Sequence, residues 1–200
     1  MTRQKSILRT KNTREKILDA ALRSFNEHGI EATTIEMIRE DSGASVGSVY
    51  HHFGNKENIG ATLYLEAVRD YQQGLQGLLA AAENAEAGVK AITRSYIDWV
   101  GANPEQARFI LYSRRYLARS GLMAEAERET QRFLAAIANW FKPLMASGKI
   151  KRLPKECYSS LLLGSAHDYA RLWLSGRSKK PIGKFRDIFA EAAWSALKPD

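Results

Sequence analysis

The sequence predicts an all-α protein of about nine helices with essentially no sheet. Three observations carry this. Apolar residues recur at three- and four-residue steps along most of the chain. Glycine, proline and asparagine interrupt those stripes where helices need ends. No segment sustains the alternation of a half-buried strand, and no internal repeat is present.

Each element follows in order. Ile17, Leu18, Ala21, Leu22 and Phe25 share one face of a helix over 14–28. Asn12 caps its start, with Glu15 three residues on, and Gly29 suits a left-handed exit. Thr33-Thr34 opens a short second helix, with Glu36 completing a capping box on Thr33. Ile35 and Ile38 anchor that helix inward, and Gly43 ends it. Ser45 caps a third helix over 46–52, from which Val49 and Phe53 pack inward. Gly54 stops it and Asn55 caps a fourth.

The fourth helix is long. Ile59, Leu63, Ala67, Tyr71, Leu75 and Leu78 make a stripe running to about residue 82, with a kink expected near Gly74. Further amphipathic segments span about 87–102, 104–119, 122–146, 154–175 and 181–197. Asn103-Pro104, Ser120-Gly121, Gly148 and Gly176 separate them.

Composition bounds the function classes. The chain has 200 residues, 44% of them hydrophobic, enough for one medium domain or two small ones. No run of about 18 apolar residues reads as membrane-spanning. The start from Met1 to Lys5 is basic, but no apolar core of a signal peptide follows. One cysteine, Cys157, cannot form an intrachain disulfide; it reads as a small packing residue in a reducing, cytoplasmic protein. A formal net charge of +8 favours a polyanionic partner without locating it. Arg3, Lys5, Arg9, Lys11, Arg14 and Lys16 make a basic start, against the single acid Glu15. Arg114-Arg115, the 149–152 cluster and Lys179-Lys180 read as solvated surface.

No phosphate-cradling glycine loop, zinc spacing, nucleophile elbow or credible carboxylate pair is present, so no enzyme, cofactor or metal is expected. His51 and His52 stand about 100° apart on a helix and do not easily share one ion. His28 and His167 have no ligand-spaced neighbours.

Residues 33–57 are the informative segment. Two short helices joined by a tight turn at Gly43 make a helix-turn-helix. The first helix crosses the DNA backbone and braces the second, which enters the major groove. A helical adaptor or membrane-surface binder would share the basic charge but has no need of this constellation.

The order Thr33-Thr34-Ile35, Ile38, Gly43-Ala44-Ser45, Gly47-Ser48-Val49-Tyr50-His51-His52-Phe53 and Asn55-Lys56-Glu57 resembles the TetR-family DNA-binding domain. The opening Thr13-Arg14-Glu15-Lys16-Ile17-Leu18 and the Phe25 to Gly29 spacing agree, so the resemblance covers about 11–71. It implies a basic arm over 1–10, a three-helix DNA-binding domain over 11–55, and a helical ligand-binding and dimerisation domain over 56–200. The function it implies is a cytoplasmic, homodimeric, sequence-specific transcriptional regulator. Repression is favoured, with release from a double-stranded DNA operator by an unknown small molecule.

Roles transfer by position. The resemblance assigns DNA contact to Thr34, Ser45, Val46, Gly47, Ser48, Tyr50, His51 and Lys56. Thr34 and its helix start meet a phosphate. Ser45 and Ser48 reach phosphate or base edges, Gly47 permits close approach, and Tyr50 and His51 meet phosphates or thymine methyls. Lys56 pairs with a phosphate, and Arg3, Lys5, Arg9 and Lys11 track the minor groove or backbone. Val46 stands where the family often has Lys or Arg, which suits a thymine methyl instead. Arg39 and Ser42 stand where the family packs alanines, with Arg39 altering the helix crossing or reaching the DNA backbone.

For the C-terminal half, the candidate ligand-binding residues are Trp99, Phe109, Tyr112, Tyr116, Phe133, Trp140 and Tyr169. Core packing is an equal reading for each. The candidate dimer interface is Leu161, Ser165, Tyr169, Leu172, Phe185, Ile188, Phe189 and Ala192, two helices per subunit forming a four-helix bundle. Leu162 and Trp173 extend the first stripe, with Gly164 and Ala166 permitting close approach.

Overall fold

The computed structural model describes residues 12–117 and 121–199, excepting the side chains of 114–116 and 121–122. Among them the chain forms nine α-helices and one 3-10 turn, and no strand. The order is α1 (Thr13–Ala32), α2 (Ile35–Ser42), α3 (Val46–Phe53), α4 (Lys56–Ala80), α5 (Ala85–Ala102), α6 (Pro104–Leu117), α7 (Gly121–Ala146), α8 (Lys155–Leu174), the 3-10 turn (Ile182–Phe185) and α9 (Arg186–Leu197). The expected arm over 1–10 and Lys11 lie outside the described residues, as do the side chains of Arg114, Arg115 and Tyr116.

The helix starts are written in short polar residues. Asn12, Thr34, Ser45 and Asn55 each accept a hydrogen bond from the amide three residues on. Asn12 and Glu15 close a reciprocal capping box. Gly29 adopts φ +78°, outside the helical range, so α1 breaks there and completes one more turn to Ala32.

Four expectations need correction. Thr33 does not cap α2. Its hydroxyl donates to the carbonyls of Ser24 (3.1 Å) and Gly29 (2.8 Å). Thr34 caps instead, and Glu36 turns to Arg39. Leu78 is exposed and Leu79 takes the inward position, because the stripe drifts around a long helix. Helix α4 passes through Gly74 without interruption. Leu162 and Ala166 face into the subunit rather than outward with Leu161 and Ser165.

The apolar interior falls into three clusters. The first packs α1 to α4 around Ile17, Phe25, Ile38, Val49, Phe53 and Ile59, and continues into Phe109 and Leu117 of α6. The second joins α4, α5, α7, α8 and α9 around Leu75, Val89, Ile92, Phe133 and Phe141. The third joins α5, α6, α8 and the 3-10 turn around Tyr96, Ile97, Val100 and Ala170. Two glycines make close crossings. A Cβ on Gly60 would stand 2.7 Å from Leu117 and one on Gly88 would stand 2.1 Å from the Trp140 ring. The head formed by α1–α3 therefore rests on α4 and α6 through shared core, with Phe25 stacked on Phe109 at 5.7 Å.

Candidate DNA-binding interface

The α2–α3 pair is held by its turn and by α1. Gly43 takes φ +69°, a left-handed conformation that ends α2. The Ser42 hydroxyl donates to the Arg39 carbonyl and accepts from the Ala44 amide, 3.3 and 3.2 Å away. Ser42 thus closes the turn where the resemblance expects alanine packing. Arg23 of α1 fixes Asp41 at 2.9 Å, and the Arg14 guanidinium lies 5.6 Å from the Phe53 ring centre. Arg39 stays on α2, paired with Glu36 and Glu40, and those carboxylates hold its guanidinium firmly charged.

Helix α3 has two unlike faces. Val49 and Phe53 are 1% and 7% exposed, and Ala44 seals the turn beneath them. Val46 and Tyr50, by contrast, are 42% and 51% exposed. Gly47 and His51 lie on the surface with them, and Ser48 is half-buried. The Ser45 hydroxyl accepts from the Ser48 amide at 3.1 Å. That leaves the Val46 and Gly47 amides at a positive helix end, ready for an outside anion. Thr34 does the same at α2, accepting from Met37 at 3.2 Å.

Comparison with known proteins agrees with this geometry. Residues 17–61 match the family described as bacterial regulatory proteins, tetR family. These residues are thus similar to the TetR-family DNA-binding domain. It is 48% identical over 48 residues to the HTH-type transcriptional repressor AcnR of Corynebacterium glutamicum, covering 24% of this chain and 26% of that repressor. The match therefore spans about a quarter of that relative's length. The AcnR of Corynebacterium jeikeium is 28% identical over 139 residues, 68% of each chain. The transcriptional regulator FadR from Bacillus subtilis, solved in complex with stearoyl-CoA, shares the fold with a TM-score of 0.75 at 18% identity, covering 89% of this chain and 96% of that one. Both AcnR proteins are transcriptional repressors.

Within this head, Lys56 departs from expectation. Its ammonium donates to the Thr33 carbonyl at 2.7 Å and the Glu31 carbonyl at 3.1 Å. It caps the end of α1 from the first turn of α4, so at most its third N–H is left for phosphate. The signal for this was present in Gly29: a helix broken early leaves carbonyls that need a donor. Sequence spacing does not reveal that the donor comes from 23 residues away.

The candidate ligand-binding residues do not converge on one pocket. Phe109 is buried at the head–body seam, and Tyr112 is 52% exposed beside it. Both line a cleft of about 590 Å³ between α1, α6 and the end of α8. Trp140 packs on Phe141 and over Gly88. The Tyr169 hydroxyl pairs with Ser178 and donates to the Lys180 carbonyl, next to Phe185 and Phe189. Trp99 and Phe133 do meet, through Tyr71, whose ring lies 5.9 and 6.1 Å from theirs. In the sequence Tyr71 shows only as part of the α4 stripe; its position as the hub arises from the packing of three helices.

On the α8–α9 side, Ser165, Ile188 and Ala192 are exposed, Ile188 at 63%. Leu161, Leu172, Phe185 and Phe189 are half-buried. Among the described residues, no helix is long and apolar enough to cross a membrane.

Proposed function

We propose that this chain is a TetR-family, sequence-specific DNA-binding transcriptional repressor, acting in the cytoplasm as a homodimer and released from its operator by a small molecule. The observation that carries the reading is the outer face of α3. It leaves Val46 and Tyr50 in water beside open backbone amides, on a helix whose other face is fully packed. A helix of this size fits the major groove, with apolar tips for thymine methyls and amides for phosphates. Thr34, Ser45, Val46, Gly47, Ser48, Tyr50 and His51 form the contact set, with Lys56 mainly bracing it. The arm over 1–10 adds backbone or minor-groove contacts, 11–55 reads the operator, and 56–200 senses ligand and dimerises.

The α8–α9 stripe of exposed Ser165, Ile188 and Ala192 with half-buried Leu161 and Leu172, rimmed by Phe185, Phe189 and Tyr169, is the dimer surface. Two reading heads are needed because half-sites recur at helical-turn spacing. The relatives named as repressors support occupancy of a promoter as the mode of action. The stearoyl-CoA complex of a protein with this fold supports a ligand-taking body.

The test is selection of bound fragments from a genomic DNA library by the full chain and by Tyr50→Ala. The reading predicts one enriched palindromic site, lost in the variant at unchanged helix content. No enrichment, or equal enrichment by both, contradicts it. Light scattering must also give twice the 22.5 kDa chain mass; a stable monomer removes the dimer.

A further inference from the structure

We propose that the head discriminates its operator through C5-methyl groups in the major groove, so that 5-methylcytosine substitutes for thymine and cytosine methylation at that position strengthens binding. This rests on the reading of α3 as the helix that enters the groove.

Base pairs are distinguished most sharply by paired hydrogen bonds, from Arg or Lys to guanine and from Asn or Gln to adenine, with carboxylates accepting from cytosine. Helix α3 reads Val46-Gly47-Ser48-Val49-Tyr50-His51-His52-Phe53 and holds none of these residue types. The rest of the described head engages its own elsewhere. Arg14 pairs with Glu66 at 2.7 Å and Arg23 with Asp41 at 2.9 Å. Arg39 is held on α2 by Glu36 and Glu40. Lys56 donates to carbonyls at the end of α1, and Lys16 lies near the start of α1, off the reading helix. Asn12 and Asn55 are caps, Asn26 donates to the Glu105 carbonyl at 3.0 Å, and Asn58 donates to the Phe53 carbonyl at 3.0 Å. No glutamine occurs over 12–58.

What α3 does present is carbon. Val46 and Tyr50 stand one turn apart, so the two exposed side chains share a face. Gly47 adds no bulk beside them: a Cβ there would meet only the Ser45 hydroxyl, at 4.0 Å. The backbone can therefore come close to the bases. Val46 is the first residue of α3, and the start of a recognition helix is the part that meets base edges. The polar groups around it discriminate poorly. The Ser45 hydroxyl already accepts from the Ser48 amide at 3.1 Å, a serine hydroxyl serves any base, and an imidazole makes single bonds rather than pairs.

An isopropyl group at a base edge recognises one feature, the C5-methyl of thymine. 5-Methylcytosine carries the same methyl on the same ring carbon, while its N4 amine replaces the thymine O4 acceptor. Uracil keeps the acceptor and lacks the methyl. Cytosine has neither. A methyl reader therefore ranks thymine and 5-methylcytosine together, above uracil and cytosine. A hydrogen-bond reader ranks thymine with uracil instead. Losing one buried methyl weakens binding about fourfold, and losing it from both half-sites weakens binding about fifteenfold.

The experiment starts from the site that the full chain selects from genomic DNA. Each thymine is replaced by uracil in both half-sites, which removes a methyl and leaves every hydrogen-bonding edge and the minor groove unchanged. Anisotropy then gives the affinities. At least one thymine pair should lose about tenfold or more as uracil. At that position cytosine opposite guanine should be as weak as uracil, and 5-methylcytosine opposite guanine should return to within about twofold of thymine. Val46→Ser removes the isopropyl group at an exposed position; at unchanged helix content it should cut the thymine-over-uracil preference to about twofold, a non-additivity that assigns the methyl to Val46. The proposal is overturned if no uracil replacement weakens binding more than about twofold, if 5-methylcytosine binds like cytosine, or if Val46→Ser keeps the full preference. A selective site indifferent to uracil overturns methyl reading alone and leaves the repressor reading standing. Absence of any selective site overturns both.

Discussion

The reading head and the body of this protein are both built from α-helices but specified differently. In the head, the eight-residue helices α2 and α3 are fixed by their ends: a capping side chain at the start and a glycine at the stop. Its outward groups are left over once Ile38, Val49 and Phe53 are buried. In the body, helices of 12 to 26 residues are fixed by what they cross. Which side chain meets which is set by Gly88 beneath Trp140, or by Tyr71 between Trp99 and Phe133. Local rules therefore reveal function in the head and conceal it in the body.

The largest effect should come where the two regions join. Phe25→Ala should destabilise by about 3–5 kcal/mol in urea denaturation, since Phe25 is buried and stacked on Phe109. Unfolding should remain one transition, because the head's core continues into α6. A separate early transition of the head would break the claim of a shared core.

Next is the body's own specification. Gly88→Ala should destabilise by about 1–3 kcal/mol despite alanine's better helix propensity, because the new Cβ meets the stiff Trp140 ring. Gly60→Ala should lose less, since its clash is with the far end of the Leu117 side chain. The reverse ranking in chemical denaturation would contradict the packing.

The head should respond to its caps. Ser45→Ala and Lys56→Met should each lower stability by about 1 kcal/mol, one by opening α3 and the other by uncapping α1. If Lys56→Met weakens DNA binding at unchanged stability, Lys56 is a phosphate contact rather than a brace.

The smallest effect is electrostatic. Arg69 of α4 grips Glu129 and Glu125 of α7 at 2.8 and 2.9 Å. Arg69→Gln should cost at most about 1 kcal/mol, since these side chains are partly exposed. The hydrogen bond from Arg69 holds the Glu129 carboxyl below its usual range. Its contribution is thus present above the unfolded-state pKa and is lost as pH falls through the lower folded value. The difference between wild type and variant should shrink on acidification; a difference that grows would refute the assignment.

The contrast explains what the sequence made legible. Asn12, Thr34, Ser45, Asn55, Gly43 and Gly54 act over three or four residues, so the helix ends and the α2–α3 unit could be read directly. The error at Thr33 was local competition: its hydroxyl found two carbonyls of α1, leaving Thr34 to cap. The resemblance assigns Lys56 to DNA, and its bracing bonds to Glu31 and Thr33 are hidden in the sequence because those residues become its neighbours only after folding. The aromatics of the body were visible as residues but not as a cluster. Tyr71, Tyr96 and Phe133 lie on three helices, and no periodicity encodes their meeting.

The central claim is that the outer face of α3 reads a specific DNA sequence. Fluorescence anisotropy at physiological salt tests it most directly, comparing DNA from upstream of the protein's own gene with scrambled DNA of equal length. The account predicts a preference of about a thousandfold or more with a steep salt dependence, abolished in Tyr50→Ala. Equal, weak binding to both DNAs by wild type and variant alike would contradict it.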